Sequence, residues 1–406
     1  MTSLQALQDE YQALVGRGLK LDLTRGKPSS AQLDLSKSML TNSVPATSPS
    51  GVDVRNYGGL TGLKEIREIF AELLSIDPEL IIAGGNSSLA LMHDTVTYAM
   101  LHGVPGVDRP WFGRGVKFIC PVPGYDRHFS ICEHLGIEML PVAMDDSGPD
   151  MEAVRKLAQD PDVVGMWVVP TYSNPGGVTY DEAVVAELLS MSAAPDFRIW
   201  WDNAYALHHL TDDEPRALNV LQIAADAGNP DRVFAFASTS KITIAGGGVS
   251  FLGASKTNLD WYTSHAQIRS IGPDKVNHLR HVQHLVDPQG VRKLMREHRQ
   301  ILAPKVQILL DVLQERLADS AATWTHPKGG YFVSLNVAPG TATRVVELAK
   351  QAGIALTPAG SAYPYGKDPD DTNIRLAPSL PPEEDLRIAM DGVATCVLLA
   401  EAELNS

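Results

Sequence analysis

Short, almost wholly apolar runs that each stop near a polar residue recur along this chain: Val116–Cys120, Val163–Val169, Ile199–Trp201 and Val233–Ala237. A strand with apolar side chains at successive positions has no face to give to water, so it must be covered on both sides. Helical patterns lie between the runs, among them Met151–Ala158 and Asp181–Met191. The alternation predicts an α/β chain: a mostly parallel sheet with helices on its faces. The polar residues at the strand stops would then gather along one edge, where such sheets place ligands. With 406 residues, 44% of them hydrophobic, the chain can bury a large core and divide into two domains.

The flanking segments read differently. Leu4, Leu7, Tyr11 and Leu14 form a helical stripe that Gly16 and Gly18 end, before the loop Thr24-Arg25-Gly26-Lys27-Pro28. Lys64–Leu74 reads as an amphipathic helix and Leu80–Ala83 as a strand. The turn Gly84-Gly85-Asn86 leads into a helix from about Ser87. Val291–Leu317 is one long helical pattern, broken only by Pro304 and long enough to bridge two domains. Beyond it come expected strands at Gly330–Val337, Gly353–Thr357 and Asn373–Leu376, then a closing helix over Glu383–Glu403. The expected division is an arm with part of a small domain over 1–50, a large domain over 51–290, and a smaller α+β domain over 291–406. Ala359–Thr372, rich in Gly, Pro and Asp, is the candidate lid.

Charge and cysteine content narrow the function. The net charge of −14 repels nucleic acid and anionic membranes, and no basic patch offsets it. Cys120, Cys132 and Cys396 have neither disulfide nor zinc-site spacing, so no metal is expected and a reducing cytoplasm fits. Met1–Lys20 lacks the apolar stretch of a signal peptide, and no apolar run approaches the roughly 20 residues of a membrane helix.

Chemistry concentrates at the strand stops. Ser238-Thr239-Ser240-Lys241 puts an amine among hydroxyls, ahead of Gly246-Gly247-Gly248. Such an amine can form an imine with an aldehyde cofactor. By itself the pattern is more often that of a solvated surface lysine. Trp201-Asp202-Asn203-Ala204-Tyr205 delivers an acid one strand earlier, suited to a pyridinium nitrogen or to a helix N-cap. Asn174-Pro175-Gly176 is a strong turn signal that also offers an amide donor, and Arg375 offers a planar fork for a carboxylate.

Taken in order and spacing, Lys241, Asp202 with Tyr205, Asn174-Pro175-Gly176 and Arg375 resemble the fold-type-I PLP-dependent aminotransferases (PLP, pyridoxal 5′-phosphate). Leu23–Pro28 and Ile271–Asn277 are similar to an actinobacterial-type aspartate aminotransferase subgroup related to MocR effector domains. The resemblance implies a seven-stranded-type large domain and PLP held as a Schiff base on Lys241. It gives Lys241, Asp202 and Tyr205 the catalytic roles, with Asn174 and Tyr205 on the cofactor phenolate and Tyr125 stacked on its ring. Asn86, Ser87, Ser88 and Ser238 would meet the phosphate, joined by Tyr57 from a neighbouring subunit, so a homodimer is implied. Arg375, Asn174 and Gly26 would hold the substrate, and Arg25 is the first candidate for a distal carboxylate. The arginine that usually follows the lysine by seven or eight positions is replaced by Gly248 and Val249, and Lys275 is a candidate substitute.

The implied activity is ping-pong transfer of an amino group from an amino acid, aspartate above all, to a 2-oxo acid such as 2-oxoglutarate. A PLP lyase or decarboxylase would use the same lysine and aspartate. A non-catalytic PLP sensor of the MocR kind is the rival from another class; the charge balance and the lack of a DNA-binding segment weigh against it.

Overall fold

The computed structural model describes residues 3–107 and 109–406. The first strand, β1 (Leu21–Asp22), lies outside the main sheet. The main sheet comprises β2 (Ile81–Ala83), β3 (Lys117–Val122), β4 (Glu138–Asp145), β5 (Gly148–Pro149), β6 (Val163–Val168), β7 (Arg198–Asp202), β8 (Val233–Ser238) and β9 (Ser250–Ala254). Their spatial order is β2-β9-β8-β7-β6-β3-β4-β5. The strands β8, β7, β6, β3 and β4 run parallel, while β9 is antiparallel to both β8 and β2. The sheet is thus seven strands plus the two-residue hairpin partner β5.

The apolar runs are continuous because both sheet faces are buried. Val163, Met166, Val168, Ile199, Trp201, Val233 and Ala235 enter one core cluster, and Val164, Trp167, Trp200, Phe234 and Phe236 enter another on the opposite face. Successive strand residues point to opposite faces, so a period of two divides β7 and β8 between the two cores, while in β6 the register shift opposite Lys117/Phe118 puts Val163 and Val164 out of step with Met166–Val168. A third cluster belongs to a smaller body. It joins Leu7, Tyr11 and Leu14 of the first helix (Leu4–Gly16) to Leu386, Met390 and Val393 of the last (Glu383–Leu404). Between them lie β10 (Thr323–Trp324), β11 (Val333–Asn336), β12 (Ile354–Ala355) and β13 (Asn373–Leu376). Of these, β10, β11 and β13 form an antiparallel sheet, and β12 pairs with β1.

The helix Pro288–Leu317 links the bodies and runs through Pro304. Its Val291, Leu294 and Met295 sit in the large core, while Leu302, Val306, Leu309 and Leu313 sit in the small one. The segment expected as a lid is tied down at two points: Gly124 N–H donates to Ala362 O at 2.7 Å and Met139 N–H to the Tyr365 hydroxyl at 3.0 Å. No helix is long and apolar enough to cross a membrane among the described residues.

Candidate active site

Four neighbouring parallel strands end around one point. The end of β8 is Ser238, followed by the turn that carries Lys241; the end of β7 is Asp202; β6 leads to Asn174 and β3 to Tyr125. Asp202 therefore closes a strand and caps no helix. Its carboxylate is buried at 3% exposure, with Oδ2 accepting from His128 Nε2–H at 3.1 Å. Oδ1 is buried and has no hydrogen-bond partner. His128 lies flat on Trp167, ring centroids 4.3 Å apart, and edge-on to Tyr125 at 4.9 Å.

The Lys241 ammonium sits 4.8 Å from the centre of the Tyr205 ring. Burial lowers its pKa, and Asp202 opposes that shift. Burial, with nearby Tyr125 and Asp202, raises the pKa of the Tyr205 hydroxyl; burial and Asp202 push that of Tyr125 up to about 12. Both phenols therefore stay protonated and able to donate near neutrality.

Buried histidines hold the backbone around the lysine. His208 Nε2–H donates to Lys241 O at 3.2 Å and His298 Nε2–H to Ile242 O at 2.9 Å. His281 Nδ1–H donates to Asn277 O at 2.8 Å, which leaves Nε2 to accept from Thr243 Oγ1 at 2.9 Å or Thr239 Oγ1 at 3.2 Å. Burial depresses their pKa values, to about 3 for His208 and about 4 for His281. None of these histidines stands out in the sequence. Only His128 carries a local signal, lying one helical turn after Tyr125.

Across from the sheet edge, Arg375 in β13 is buried at 7% exposure, its guanidinium 5.1 Å from the Phe332 ring centre. Its Nη1 donates to Asp126 Oδ1 at 3.0 Å and Asn174 Oδ1 at 3.4 Å, and Nη2 to Thr357 Oγ1 at 3.5 Å. Thr357 Oγ1 in turn donates to Thr24 O at 2.7 Å, which brings the Arg25 loop to this site. Gly26 is required there, because a Cβ would stand 2.6 Å from Phe332 Cζ. Arg25 is exposed and forms no ion pair among the described residues.

A second region borders Lys241. Ser87 N-caps the helix Ser88–His102 without using its side chain, so the first-turn N–H groups lack a side-chain cap. Ser240 Oγ reaches Asn86 O at 3.4 Å, and Ser238 Oγ reaches Ser240 Oγ at 3.1 Å; Ser240 was not among the expected residues. A side chain at Gly248 would meet Thr239 Oγ1 at 3.2 Å, and Val249 is fully buried. Asn277 Nδ2 donates to Gly247 O and Gly248 O at 2.9 and 3.0 Å, and the neighbouring buried Lys275 donates to Gly58 O at 2.8 Å. Tyr57, next to Gly58, is 80% exposed.

The family model for aspartate amino-transferases matches residues 1–406. The chain is 54% identical over 404 residues to the aspartate aminotransferase of Corynebacterium glutamicum, covering 98% of this chain and 93% of that protein. The chain belongs to the aspartate aminotransferase family. A crystal structure of an aspartate transaminase from C. glutamicum superimposes with a TM-score of 0.97 at 53% identity, covering 99% of this chain and 96% of that one. The fold extends to LysN of Thermus thermophilus, an α-aminoadipate aminotransferase complexed with N-(5′-phosphopyridoxyl)-L-leucine, with a TM-score of 0.75 at 19% identity and coverage of 95% and 94%. The protein is thus an aminotransferase, and aminotransferases of this fold type use PLP. The site fits that cofactor: a buried, unpartnered carboxylate oxygen suits a protonated ring nitrogen, and hydroxyls beside a helix N-terminus suit a phosphate.

Proposed function

We propose that this family member is an aspartate aminotransferase that passes the amino group of aspartate to 2-oxoglutarate by a ping-pong mechanism, as a cytoplasmic homodimer. The family match supports aspartate as the donor, and the observation that carries the cofactor chemistry is Asp202, whose buried Oδ1 is unpartnered while His128 holds Oδ2. When bound, PLP supplies a ring that withdraws electrons from the substrate Cα. Asp202 would keep the ring nitrogen protonated, and His128 would fix the carboxylate's orientation.

Lys241 would hold the cofactor and then take the proton from the substrate Cα, its lowered pKa favouring the free amine that a base requires. Asn174 and Tyr205 would donate to the phenolate oxygen, and Tyr125 would cover the ring. Asn86, Ser87, Ser88 and Ser238 would bind the phosphate, with Tyr57 of a second subunit. The buried Lys275 would lend the positive charge that Gly248 and Val249 cannot; reduced PLP affinity in Lys275→Ala tests this.

Arg375, beside Asn174, would grip the α-carboxylate, and Gly26 would leave room for Phe332 beneath it. Arg25 would meet the distal carboxylate. In Arg25→Ala the preference in kcat/KM for aspartate over alanine should fall; an unchanged ratio excludes Arg25. The similarity to MocR effector domains rests on the motifs Leu23–Pro28 and Ile271–Asn277.

The deciding measurement is turnover of the holoenzyme with aspartate and 2-oxoglutarate. Oxaloacetate and glutamate should form in equal amounts, and Lys241→Ala should form neither. Alanine and carbon dioxide from aspartate would mark a decarboxylase, and cofactor binding without any product would mark a sensor.

A further inference from the structure

Arg375 is already engaged by a carboxylate of the same chain. Its Nη1 donates to Asp126 Oδ1 at 3.0 Å, with the arginine side chain 7% exposed and the aspartate side chain 34% exposed. Asn174 Oδ1 and Thr357 Oγ1 complete the polar surroundings, but neither carries charge. Asp126 is the one carboxylate paired with Arg375 among the described residues. It is also the first residue of the helix Asp126–Leu135, directly after Tyr125.

We propose that Asp126 stands in for the substrate carboxylate: it holds Nη1 of Arg375, whose buried Nε has no partner, and is displaced when amino acid or 2-oxo acid binds. The inference rests on the reading of Arg375 as the α-carboxylate site. An unpaired guanidinium at this depth is costly, so a mobile anion keeps it paired between turnovers. The asymmetry of exposure sets which partner moves. Arg375 is fixed in a strand and packed on Phe332, whereas Asp126 has water on one side. Once displaced, Asp126 remains at the N-terminus of its own helix, where the free N–H groups favour a negative charge.

Each carboxylate ligand then binds by exchange rather than to a free cation. The cost falls equally on both substrates and on their transition states, so it raises KM for both without slowing the chemical step.

The test is binding of maleate, a dicarboxylate with no amino group to transfer, to the holoenzyme by titration calorimetry, alongside KM and kcat for both substrates. In Asp126→Asn, which keeps the side chain's size and shape but removes its charge, the maleate Kd should fall about tenfold. KM for aspartate and 2-oxoglutarate should fall together by a similar factor. Asp126→Ser should shift all three constants in the same direction. An unchanged or higher Kd in both variants overturns the inference, since Asp126 would then only orient Arg375. Arg375→Ala separates the two readings. If that variant binds maleate like the parent, Arg375 is not the carboxylate site. If it loses maleate while the Asp126 variants bind like the parent, only the displacement fails.

Discussion

At the scale of single residues, the site depends on small margins. Asp202 has one oxygen on His128 and one free, so its charge and its direction are set separately. Asp202→Asn keeps the shape and removes the charge; kcat should fall on the order of 10²–10³-fold, the usual cost of one preorganised electrostatic contact. An assay under saturating PLP, which excludes a cofactor-affinity effect, checks this. Gly26 is bound by space alone, since its Cβ would stand 2.6 Å from Phe332 Cζ. Gly26→Ala must push Phe332 from beneath Arg375, at roughly 1–3 kcal/mol of overpacking strain. KM for aspartate should rise several-fold while Tm drops by a few degrees, and a parental KM would remove Gly26 from the substrate site. Asp202 was legible in the sequence because it ends an apolar strand, whereas Arg375 lies inside β13 and stood out only through its guanidinium and the family resemblance. Asp126 was not, because its partner Arg375 lies 249 residues away and nothing local marks the pair.

At the scale of elements, the Lys241 turn is held by side chains from three distant segments. His208 grips Lys241 O, His298 grips Ile242 O, and His281 faces Thr239 and Thr243. Burial favours the neutral form of each. With folded pKa values near 3 for His208 and 4 for His281, against about 6.5 unfolded, the unfolded chain takes up protons first as pH falls. Their stabilising contribution is therefore complete above pH ~6.5 and is lost as pH falls to about 4 for His281 and about 3 for His208, at about 1.4 kcal/mol per pH unit for each histidine. Urea unfolding at fixed protein concentration should give a lower stability at pH 5.5 than at pH 7, before carboxylates begin to titrate. Equal stability at the two pH values would show that these rings protonate in place. The same non-locality explains which elements the sequence revealed. β6, β7 and β8 are apolar at successive positions because both faces are covered. β4 buries only Met139 and Val142 of its eight residues and contains Pro141, and β9 is five residues interrupted by Gly253, so neither stands out as a run.

At the scale of the whole molecule, the large body supplies Lys241, Asp202, Asn174 and Tyr125, and the small body supplies Arg375, joined by the helix Pro288–Leu317. One expected site residue has no side-chain hydrogen bond among the described residues: Tyr57, 80% exposed beside Gly58, whose carbonyl is fixed by Lys275. Ile271, 61% exposed, and Ile268, 85% exposed, lie just ahead of Gly272, which packs against Gly58. Apolar side chains this open at a loop carrying a site residue fit burial against a second copy. A Tyr57→Ala chain should therefore bind PLP more weakly, and a Lys241→Ala chain should be inactive. If Tyr57 acts across the interface, a mixed dimer of the two has one site with both defects and one with neither. Mixing the variants under conditions that exchange subunits should then restore tight PLP binding and parental kcat at up to one site per heterodimer. If Tyr57 acts within its own chain, every site keeps one defect, and exchange restores nothing.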